Sequence, residues 1–413
     1  MQRESVFMNQ DWQVDYTFYG VGQGLFSAGC LTLLPAYSAR KQFRWVYDCG
    51  TSSKQYHLDT ALEGLACEFK NEPLYLDLVT ISHFDHDHIS GLVKLLSRFA
   101  VGDLLLPYMP LWQRLVIAFQ AGRGNRSLLT RFLINPVDFI AGLPNASVRR
   151  ILLVPAGGRA EDRLLRDEAP SDGPPRQIAE SYREGPLPVV VPTEKRPDVQ
   201  GTDNILDADN MTQAAPSGTA VEFMAPGAAI EVAGCWEFMP YNDADLTPMA
   251  SAEFIARVSG LRKKLLAEAP ASIKETTLSE LKEVYANAFN SATQRENGNR
   301  ISLFLYCGPI TPALEAARQQ AVVLSGAKNR CYYHQFNTPC HGNLLYTGDG
   351  YLDTDARFIA MRSFLGYQRV ERVSALQVMH HGSRHSWHAG LAQKIKPDFS
   401  IFSSRFCTKS LRR

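Results

Sequence analysis

The sequence lacks several patterns that would place it in a specialised class of protein. It has no run of about eighteen apolar residues, so we expect no membrane span. The opening stretch MQRESVFMNQDWQVDY has no apolar segment of the kind found in signal peptides. The formal net charge of +1 excludes a strongly basic protein with a global attraction to nucleic acid. We therefore expect a cytoplasmic protein without a membrane partner.

Cysteine and histidine are both distributed in an informative way. The eight cysteines contain no C-x-x-C pair and no compact framework, which predicts reduced thiols rather than disulfides. Histidine is absent from residue 89 to residue 333. With 413 residues, of which 45% are hydrophobic, the chain is long and apolar enough for a sizeable core.

One stretch, LDLVTISHFDHDHISGL from Leu76 to Leu92, concentrates the groups that bind metals. Its apolar, β-branched start, Leu76 to Ile81, predicts a buried strand, and a helical pattern follows the loop. Imidazoles and carboxylates grouped at the end of a strand predict a divalent metal site, because the strand fixes the direction of the loop. The loop carries His83, Asp85, His86, Asp87 and His88. One alternative is a solvated polar turn. Another is that His86-Asp87 is the doublet of an all-helical phosphohydrolase, but the strand predicted before the loop argues against it.

Two later predicted strands also end in residues that bind metals. The first, from Leu344 to Thr347, runs into Gly348-Asp349-Gly350, where the glycines allow close approach of a ligand to the backbone. A carboxylate in such a turn can bridge two cations, although a plain glycine turn is also possible. The second runs into the sequence His380-His381-Gly382-Ser383.

These motifs together resemble those of a known superfamily. His83-x-Asp85-x-Asp87-His88 is similar to the His-x-His-x-Asp-His motif of metallo-β-lactamase fold hydrolases, with Asp85 in place of the second histidine. The resemblance extends to VGQG at residues 21–24, to Asp48-Cys49-Gly50, to LYTGD at residues 345–349 and to the His-His-Gly-Ser sequence. It is closest to the hydrolase domain of DNA-uptake competence proteins, and it covers residues 14–106 and 296–403.

The resemblance implies an α/β fold, specifically a metallo-β-lactamase-like αββα sandwich with a large mixed insertion. Residues 1–106 and 296–413 would be the two halves of the metallohydrolase domain. Residues 107–295 would be an insertion or cap that shapes the substrate site, binds a protein partner or extends the core. Within it, the proline-punctuated stretch 157–216 is expected to be a mobile surface excursion.

The resemblance also implies two divalent cations, zinc or manganese, because Asp85 supplies a hard oxygen donor. His83 and Asp85 would hold the first cation and Asp87 and His88 the second, while Asp349 would bridge the two. The remaining ligand of the second cation would be His380.

Two positions are left open at this stage. His381 could replace His380 as a ligand, or could protonate a leaving group or hold a phosphate oxygen. A further histidine of the family is missing from this chain. Asn299, before the predicted strand Ile301 to Tyr306, is therefore the candidate for a weak ligand or a substrate contact.

The expected chemistry is hydrolysis by a metal-activated water, with Asp87 also orienting the water or accepting its proton. The resemblance and the hard donor favour a phosphodiester in nucleic acid or a nucleotide-derived substrate. The alternatives are a hydrolase of small lactones or esters, and a partner-binding protein with a degenerate metal site. Basic side chains compatible with a polyanion are Arg123, Arg126, Arg149, Arg150, Arg262, Lys263 and Lys264.

Overall fold

A computed structural model gives the three-dimensional structure of the chain. It describes residues 11–34, 41–70, 72–111, 113–115, 128–156, 187, 189–194, 202–216, 218–243, 260–261, 279–281, 283, 302–310, 322–326, 330–334 and 342–404.

The β-strands are distributed along the whole described chain. They are β1 (Asp11–Phe18), β2 (Phe26–Leu34), β3 (Lys41–Cys49), β4 (Tyr75–Thr80), β5 (Ala100–Pro107), β6 (Val148–Val154), β7 (Val189–Val190), β8 (Thr193–Glu194), β9 (Ala220–Met224), β10 (Ile230–Val232), β11 (Trp236–Asn242), β12 (Leu303–Pro309), β13 (Val322–Gly326), β14 (Arg330–His334), β15 (Asn343–Tyr346), β16 (Val373–Gln377) and β17 (Phe399–Ile401).

Helices alternate with these strands. The α-helices span Gln55–Glu68, His86–Ile89, Leu92–Arg98, Leu128–Ile134, Pro136–Ala141, Thr202–Gln213, Asp355–Leu365, Tyr367–Glu371 and Leu391–Ile395, and short 3₁₀ turns span Met379–Gly382 and Arg384–Ser386. Within the described ranges, every helix is too short or too polar to cross a membrane.

The strands form two mixed sheets, which makes this an α/β protein. The larger sheet has the order β14-β13-β1-β2-β3-β4-β5-β6-β9-β8, and the smaller has the order β17-β16-β15-β12-β11-β10-β7. Strands β3, β4, β5, β6 and β9 run parallel in the larger sheet. Strands β15, β16 and β17 run parallel in the smaller one. Each sheet therefore has a group of carboxyl ends at one edge, where loops carry functional side chains.

The apolar residues divide into three buried clusters. One cluster joins the two sheets, with Trp45 and Tyr47 of β3 packed together with Trp236 and Phe238 of β11. A second cluster packs helix Gln55–Glu68 and other helices on the larger sheet, and a third packs helix Asp355–Leu365 on the smaller sheet.

Strand β5 shows how the sequence produces this division. Leu104 and Leu106 belong to the cluster under the helices, whereas Leu105 between them belongs to the cluster shared by the sheets. Alternate side chains of a strand point to opposite faces, and both faces of this strand are covered. A continuous apolar run is therefore required, as is usual for parallel strands buried on both sides.

Residues 107–295 supply strands to both sheets. Strand β6 lies between β5 and β9 in the larger sheet, and β11 lies between β10 and β12 in the smaller sheet. Strands β10 and β11 form an antiparallel hairpin.

Part of the stretch expected to be a mobile excursion is also integral to the fold. Helix Thr202–Gln213 places Ala208 and Met211 in the cluster under the helices of the larger sheet. Asp207 on the same helix forms a buried ion pair with Arg114, with its Oδ1 2.6 Å from Nη2 of the arginine. The polar composition of the stretch did not predict this helix, because only a few of its residues form the buried face.

Candidate metal centre

The edges of the two sheets meet at one place and bring the predicted donor residues together. Ser82 and His83 follow β4, whereas Asp349 follows β15 and the paired histidines follow β16. The backbone N–H of Leu303, at the start of β12, donates to the carbonyl of Ser82 at 2.7 Å and joins the sheets beside these loops. The strand ends thus carry donors from distant parts of the sequence to a common centre.

Four of these residues form a compact donor group. One donor atom from each of Asp87, His88, Asp349 and His381 lies within 4.8 Å of the corresponding atoms of the others. Nε2 of His88 is 3.1 Å from Oδ1 of Asp349, and Nε2 of His381 is 3.5 Å from the same oxygen. Nε2 of His381 is also 3.1 Å from Oδ2 of Asp87. Two imidazoles and two carboxylates are a donor set that suits zinc or manganese.

The orientation of His88 is fixed from outside this group. Its Nδ1 lies 2.7 Å from Oδ2 of Asp48, and both side chains are fully buried. Asp48 also accepts hydrogen bonds from the backbone N–H and the hydroxyl of Ser82, both at 2.7 Å. A carboxylate only accepts, so Nδ1 of His88 carries a proton and Nε2 is the atom that faces the donor group.

The same arrangement recurs at the two other buried histidines. Nδ1 of His381 lies 2.7 Å from the backbone carbonyl of Ser403, which can only accept. Nδ1 of His83 lies 2.9 Å from the hydroxyl oxygen of Ser82, whose proton goes to Asp48. Each ring is therefore held through Nδ1 and presents Nε2 to the carboxylates, which is the arrangement that metal-binding histidines adopt.

A second set of donors lies on the other side of Asp349. Oδ2 of Asp349 is 3.8 Å from Nε2 of His83 and 3.8 Å from Nε2 of His380. Nε2 of His83 is in turn 3.8 Å from Oδ2 of Asp85. The two oxygens of Asp349 thus face different donors, as the bridging position expected for this residue requires.

The carboxylates are ionised because imidazoles surround them. Burial acts to raise the pKa of Asp349, but His88, His83 and His381 outweigh it and hold that pKa well below the usual range. Burial acts in the same direction on Asp87, and the hydrogen bond with His381 leads the effects that lower its pKa to about 2. The centre therefore carries negative charge that a cation or a bound proton must balance.

Burial and neighbouring charges shift the pKa values of the imidazoles in opposite directions. Burial lowers the pKa of His83 to about 3, and the neighbouring His88 adds to this effect. Burial also acts to lower the pKa of His88, but Asp349 and Asp48 raise it well above the usual range. The pKa of His381 is raised as well, because its hydrogen bond with Asp87 and the charge of Asp349 overcome burial. A metal ion would have to displace protons from His88 and His381.

The donor atoms fit a divalent cation because a buried nitrogen among them lacks a close partner. In the described part of the chain, Nε2 of His83 is buried and makes no hydrogen bond, whereas Nε2 of His88 and Oδ1 of Asp349 form an ion pair with each other at 3.1 Å. Burying polar atoms without partners is costly, and buried groups of this kind are normally satisfied by a ligand or an ion. The chemistry and the orientation of these atoms both suit a metal.

The turn that carries the paired histidines has an unusual backbone. His380 and His381 both have positive φ angles, 47° and 55°. Gln377 holds this turn against the one that carries Asp349: its side-chain oxygen accepts from the backbone N–H of Gly348 at 2.7 Å, and its amide donates to the carbonyl of Val378 at 2.9 Å. The backbone N–H of His380 donates to the carbonyl of Gly348 at 3.0 Å. The two turns are therefore fixed relative to each other.

Glycines near the start of the chain pack against the metal-binding loop. A Cβ atom on Gly50 would lie 2.5 Å from the backbone of Asp87 and His88, and one on Gly24 would lie 2.8 Å from the carbonyl of Asp87. The N–H of Leu25 donates to that same carbonyl at 3.1 Å. The VGQG turn thus positions the loop through its backbone, which requires glycine for the close approach.

The structure separates the predicted site residues into groups. The side chains of His83, Asp85, Asp87, His88 and Asp349 lie near one another at the strand ends. His381, rather than His380, lies beside Asp87 and His88, whereas His380 lies on the Oδ2 side of Asp349. Asn299 lies outside the described residues, so its predicted contact has no structural counterpart here.

In the described part of the chain, the basic side chains named in the sequence analysis form no patch beside the metal centre. Arg149 and Arg150 lie on β6 and pair with Asp103, with distances of 2.9 and 2.8 Å. The other basic residues named above lie outside the described ranges.

His388 lies away from the compact donor group, and its Nδ1 is bonded to the carbonyl of Leu352 at 2.7 Å.

Several supporting residues were not predicted from the sequence as parts of the site. Asp48, Ser82, Gln377 and Ser403 orient ligands without being donors of the compact group. Only Asp48 had a usable signal, since it stands in the Asp-x-Gly motif at the end of β3. The contacts of the other three depend on tertiary structure.

Comparisons with known proteins add no assignment. No protein-family model matches the chain, and a search of curated proteins gives no significant match.

Proposed function

We propose that this chain is a metal-dependent hydrolase with a metallo-β-lactamase-type αββα fold, acting on phosphodiesters of nucleic acid or of nucleotide-derived molecules. The observation that carries the proposal is the common orientation of three buried histidines. Each is held through Nδ1 by Asp48, Ser82 or Ser403 and turns Nε2 towards ionised carboxylates. A partner-binding protein with a degenerate site has no need for such consistent support.

The fold part of the proposal rests on the layers and on the position of the motifs. Helices pack on the outer faces of the two sheets, and the motifs at residues 83–88, 345–349 and 380–383 all lie at the meeting strand ends. These are the places that the resemblance implies for the two halves of a metallohydrolase. The strands contributed by residues 107–295 complete both sheets.

His88, Asp87, Asp349 and His381 would hold a divalent cation. When bound, the cation would supply a Lewis acid that polarises a phosphoryl oxygen and lowers the pKa of water. Because His381 lies among the donor atoms and is 6% exposed, we assign it to the metal rather than to protonation of the leaving group. Without a metal, Nε2 of His381 donates to Oδ2 of Asp87 at 3.1 Å, and this proton would have to leave for the nitrogen to bind the cation.

The exposure of the side chains favours entry of a substrate from one side of the centre. The side chains of His88 and Asp349 are 0% and 5% exposed and form the floor of the centre. Asp85 and Asp87 are each 20% exposed and lie towards solvent. Asp87, ionised because of its lowered pKa, is therefore placed to orient an incoming water by accepting a hydrogen bond from it.

Donors near both carboxylate oxygens of Asp349 favour a phosphodiester as the substrate. Donors near both of its oxygens can hold charge at two adjacent points, which suits a reaction whose attacking and leaving oxygens both carry negative charge. The oxygen donor Asp85 favours hard cations such as Mn²⁺, which associate with phosphates.

The test is reconstitution of the full-length protein. After treatment with a chelator, the protein receives Zn²⁺ or Mn²⁺ and is assayed on bis-p-nitrophenyl phosphate, single-stranded DNA and a simple lactone. We expect phosphodiester turnover that disappears in Asp87→Asn and Asp349→Asn. Asp59→Asn, which changes an exposed carboxylate, is the control and should retain turnover.

Two other outcomes would change the proposed function. Metal binding with turnover of the lactone alone would replace the phosphodiester assignment with the ester and lactone reading. Failure of the protein to bind either metal would reject the metal-dependent hydrolase altogether.

A further inference from the structure

An exposed aromatic ring lies beside the turn that carries the paired histidines. Phe402 directly follows β17, the strand that pairs with β16, and it is 59% exposed. Within the described ranges it is the most exposed of the large apolar residues. Single exposed apolar side chains are common on proteins, so exposure alone does not indicate a role. What distinguishes Phe402 is the way in which its backbone and its ring are held.

The backbone of Phe402 is fixed on both sides. The carbonyl of Ile401 accepts a hydrogen bond from the N–H of Val378 at 2.8 Å. On the other side, the carbonyl of Ser403 accepts from Nδ1 of His381 at 2.7 Å, and Nε2 of that imidazole lies in the compact donor group. Phe402 therefore has a defined position relative to the candidate metal centre.

The ring of Phe402 meets the histidine turn with one edge. A Cβ atom on Gly382 would lie 2.6 Å from Cδ1 and 3.0 Å from Cε1 of the ring, but 3.9 Å from Cγ. The nearest atoms belong to one side of the ring, which is the pattern of an edge contact rather than of a face contact. Among the described residues, no aromatic ring or cation stacks on the faces of Phe402. A flat group of a ligand has access to such a face.

The segment after Gly382 also carries positive charge. Arg384 begins the second 3₁₀ turn, its side chain is exposed, and it forms no ion pair with any other residue that the structure describes. An arginine that is not neutralised by a carboxylate attracts anions, and its planar group of N–H donors suits phosphate. An anionic substrate that approaches the centre from this side meets a positive group first.

We propose that Phe402 and Arg384 form a nucleotide-binding rim beside the metal centre, where the ring stacks on a base of a single-stranded substrate and the guanidinium contacts a phosphate. This inference rests on the proposed function and narrows its substrate to molecules in which a base adjoins the phosphodiester. Stacking on an aromatic ring accepts every base, because each base has a π-face. A phosphate contact likewise carries no sequence information. The rim therefore selects single-stranded nucleic acid without a strict sequence preference.

The experiment compares two labelled strands as substrates of the full-length protein reconstituted with Mn²⁺. One strand is a single-stranded oligothymidylate, and the other has the same length and the same phosphates but a stable abasic sugar at every position. Cleavage is followed by gel electrophoresis, which gives kcat and KM for each strand. We expect the wild type to cleave the oligothymidylate with the higher kcat/KM, because a stacked base typically strengthens binding by about 5- to 150-fold.

Phe402→Ala is the decisive variant. We expect its kcat/KM for the oligothymidylate to fall by about 5- to 150-fold, mainly through KM, and its kcat/KM for the abasic strand to be unchanged. Phe402→Tyr keeps the ring and should retain the wild-type preference. Tyr367→Ala is the matched control, because this ring is 57% exposed but precedes β16, whereas the histidine turn follows that strand. It should leave both values unchanged.

Arg384→Gln has a different expected signature. A phosphate contact does not depend on the base, so kcat/KM should fall by the same factor for both strands. The salt dependence of kcat/KM should also weaken, because one phosphate fewer is neutralised. Arg149→Gln changes an exposed arginine at the amino-terminal end of β6 and should have neither effect. An Arg384→Gln variant that behaves as the wild type would remove the phosphate contact from the rim.

A second measurement does not depend on cleavage. On irradiation, a 5-iodouracil base forms a bond to an aromatic side chain that stacks on it, in place of its iodine, and peptide mass spectrometry identifies the side chain. We expect a strand that contains this base to cross-link to Phe402 of the wild type. The cross-link should be absent from Phe402→Ala and unaffected by Tyr367→Ala.

The rim and the proposed function fail in different ways. If Phe402→Ala cleaves the oligothymidylate as the wild type does, or if cross-links form only at other residues, the rim is rejected and the phosphodiesterase stands. A cross-link to Phe402 without cleavage of either strand would support the rim and reject the hydrolase. If neither strand is cleaved and Phe402 forms no cross-link, both proposals are rejected.

Discussion

Nδ1 of His88 and Oδ2 of Asp48 are 2.7 Å apart, although 40 positions separate the two residues along the chain. Burial raises the pKa of Asp48, and the charge and the hydrogen bond of His88 act against that rise. The carboxylate fixes the tautomer and the direction of an imidazole at the floor of the centre. It thereby connects the end of β3 to the metal-binding loop after β4.

Asp48→Asn tests this connection. The amide keeps the shape of the side chain but lacks the charge and offers fewer acceptor positions to His88 and Ser82. We expect affinity for the metal ion to fall by about 10–100-fold, as is typical when a partner of a metal ligand is changed. Competition with a chromogenic chelator measures the affinity, and Asp59→Asn serves as the exposed control. An affinity equal to that of the wild type would remove Asp48 from the support of the centre.

Gln377→Leu tests the link between the two turns. The glutamine accepts from the N–H groups of Thr347 and Gly348 at 2.9 and 2.7 Å, and it is fully buried. Leucine leaves these groups without partners, so we expect the free energy of unfolding to fall by about 3 kcal/mol or more. Urea denaturation measures this change. Gln42→Leu, at an exposed position of β3, should have little effect.

A separate readout distinguishes positioning from general stability. If Gln377 positions Asp349 and His380, the variant should lose metal affinity under conditions in which circular dichroism still shows a folded protein. Unchanged affinity in the folded variant would show that Gln377 has only a structural role.

The sequence predicts the parts of this molecule that depend on local pattern. The strand before His83 and the strand before Asp349 are visible as short apolar runs that end in glycine or polar residues, and the structure has β4 and β15 there. The donor-rich loop is equally local, since its residues lie within six positions of the chain. In these segments, propensity, burial and turn chemistry agree.

Other features depend on pairings that no local pattern contains. The choice between His380 and His381 follows from the backbone angles of both residues, which the contact with Gly348 and the packing of the turn determine. Strands such as β6 and β11 have strand-like sequences, but their place in the sheets depends on distant partners. The sequence predicts an insertion or cap at residues 107–295, and only the structure shows that this range supplies strands to both sheets.

Asp207→Asn tests whether helix Thr202–Gln213 belongs to the stable core. Asp207 and Arg114 are both 2% exposed, and the arginine also donates to the carbonyls of Met109, Leu133 and Ile134. Loss of the charge leaves Arg114 buried without its partner, so we expect a destabilisation of about 3–5 kcal/mol, measured by urea denaturation. Glu63→Gln, in the exposed pair with Arg98, is the control and should change stability little. A small effect of Asp207→Asn would mean that the helix is only loosely attached.

Asp77 of β4 gives the fold a pH dependence that lies away from the metal centre. Burial raises its pKa to about 6, although its Oδ2 accepts a hydrogen bond from the backbone N–H of Arg44 at 2.8 Å. A folded pKa above the unfolded value means that Asp77 contributes stability below about pH 4, and that this contribution is lost as the pH rises through 6. Asp77→Asn keeps the acceptor for Arg44 and removes the titration. We therefore expect the free energy of unfolding of the wild type, relative to Asp77→Asn, to decrease by about 1–3 kcal/mol between pH 4 and pH 7.5. Urea denaturation of both proteins across this range measures the difference, in which the effects of groups common to both cancel. A difference that stays constant with pH would show that Asp77 is ionised in the folded protein as readily as in the unfolded chain.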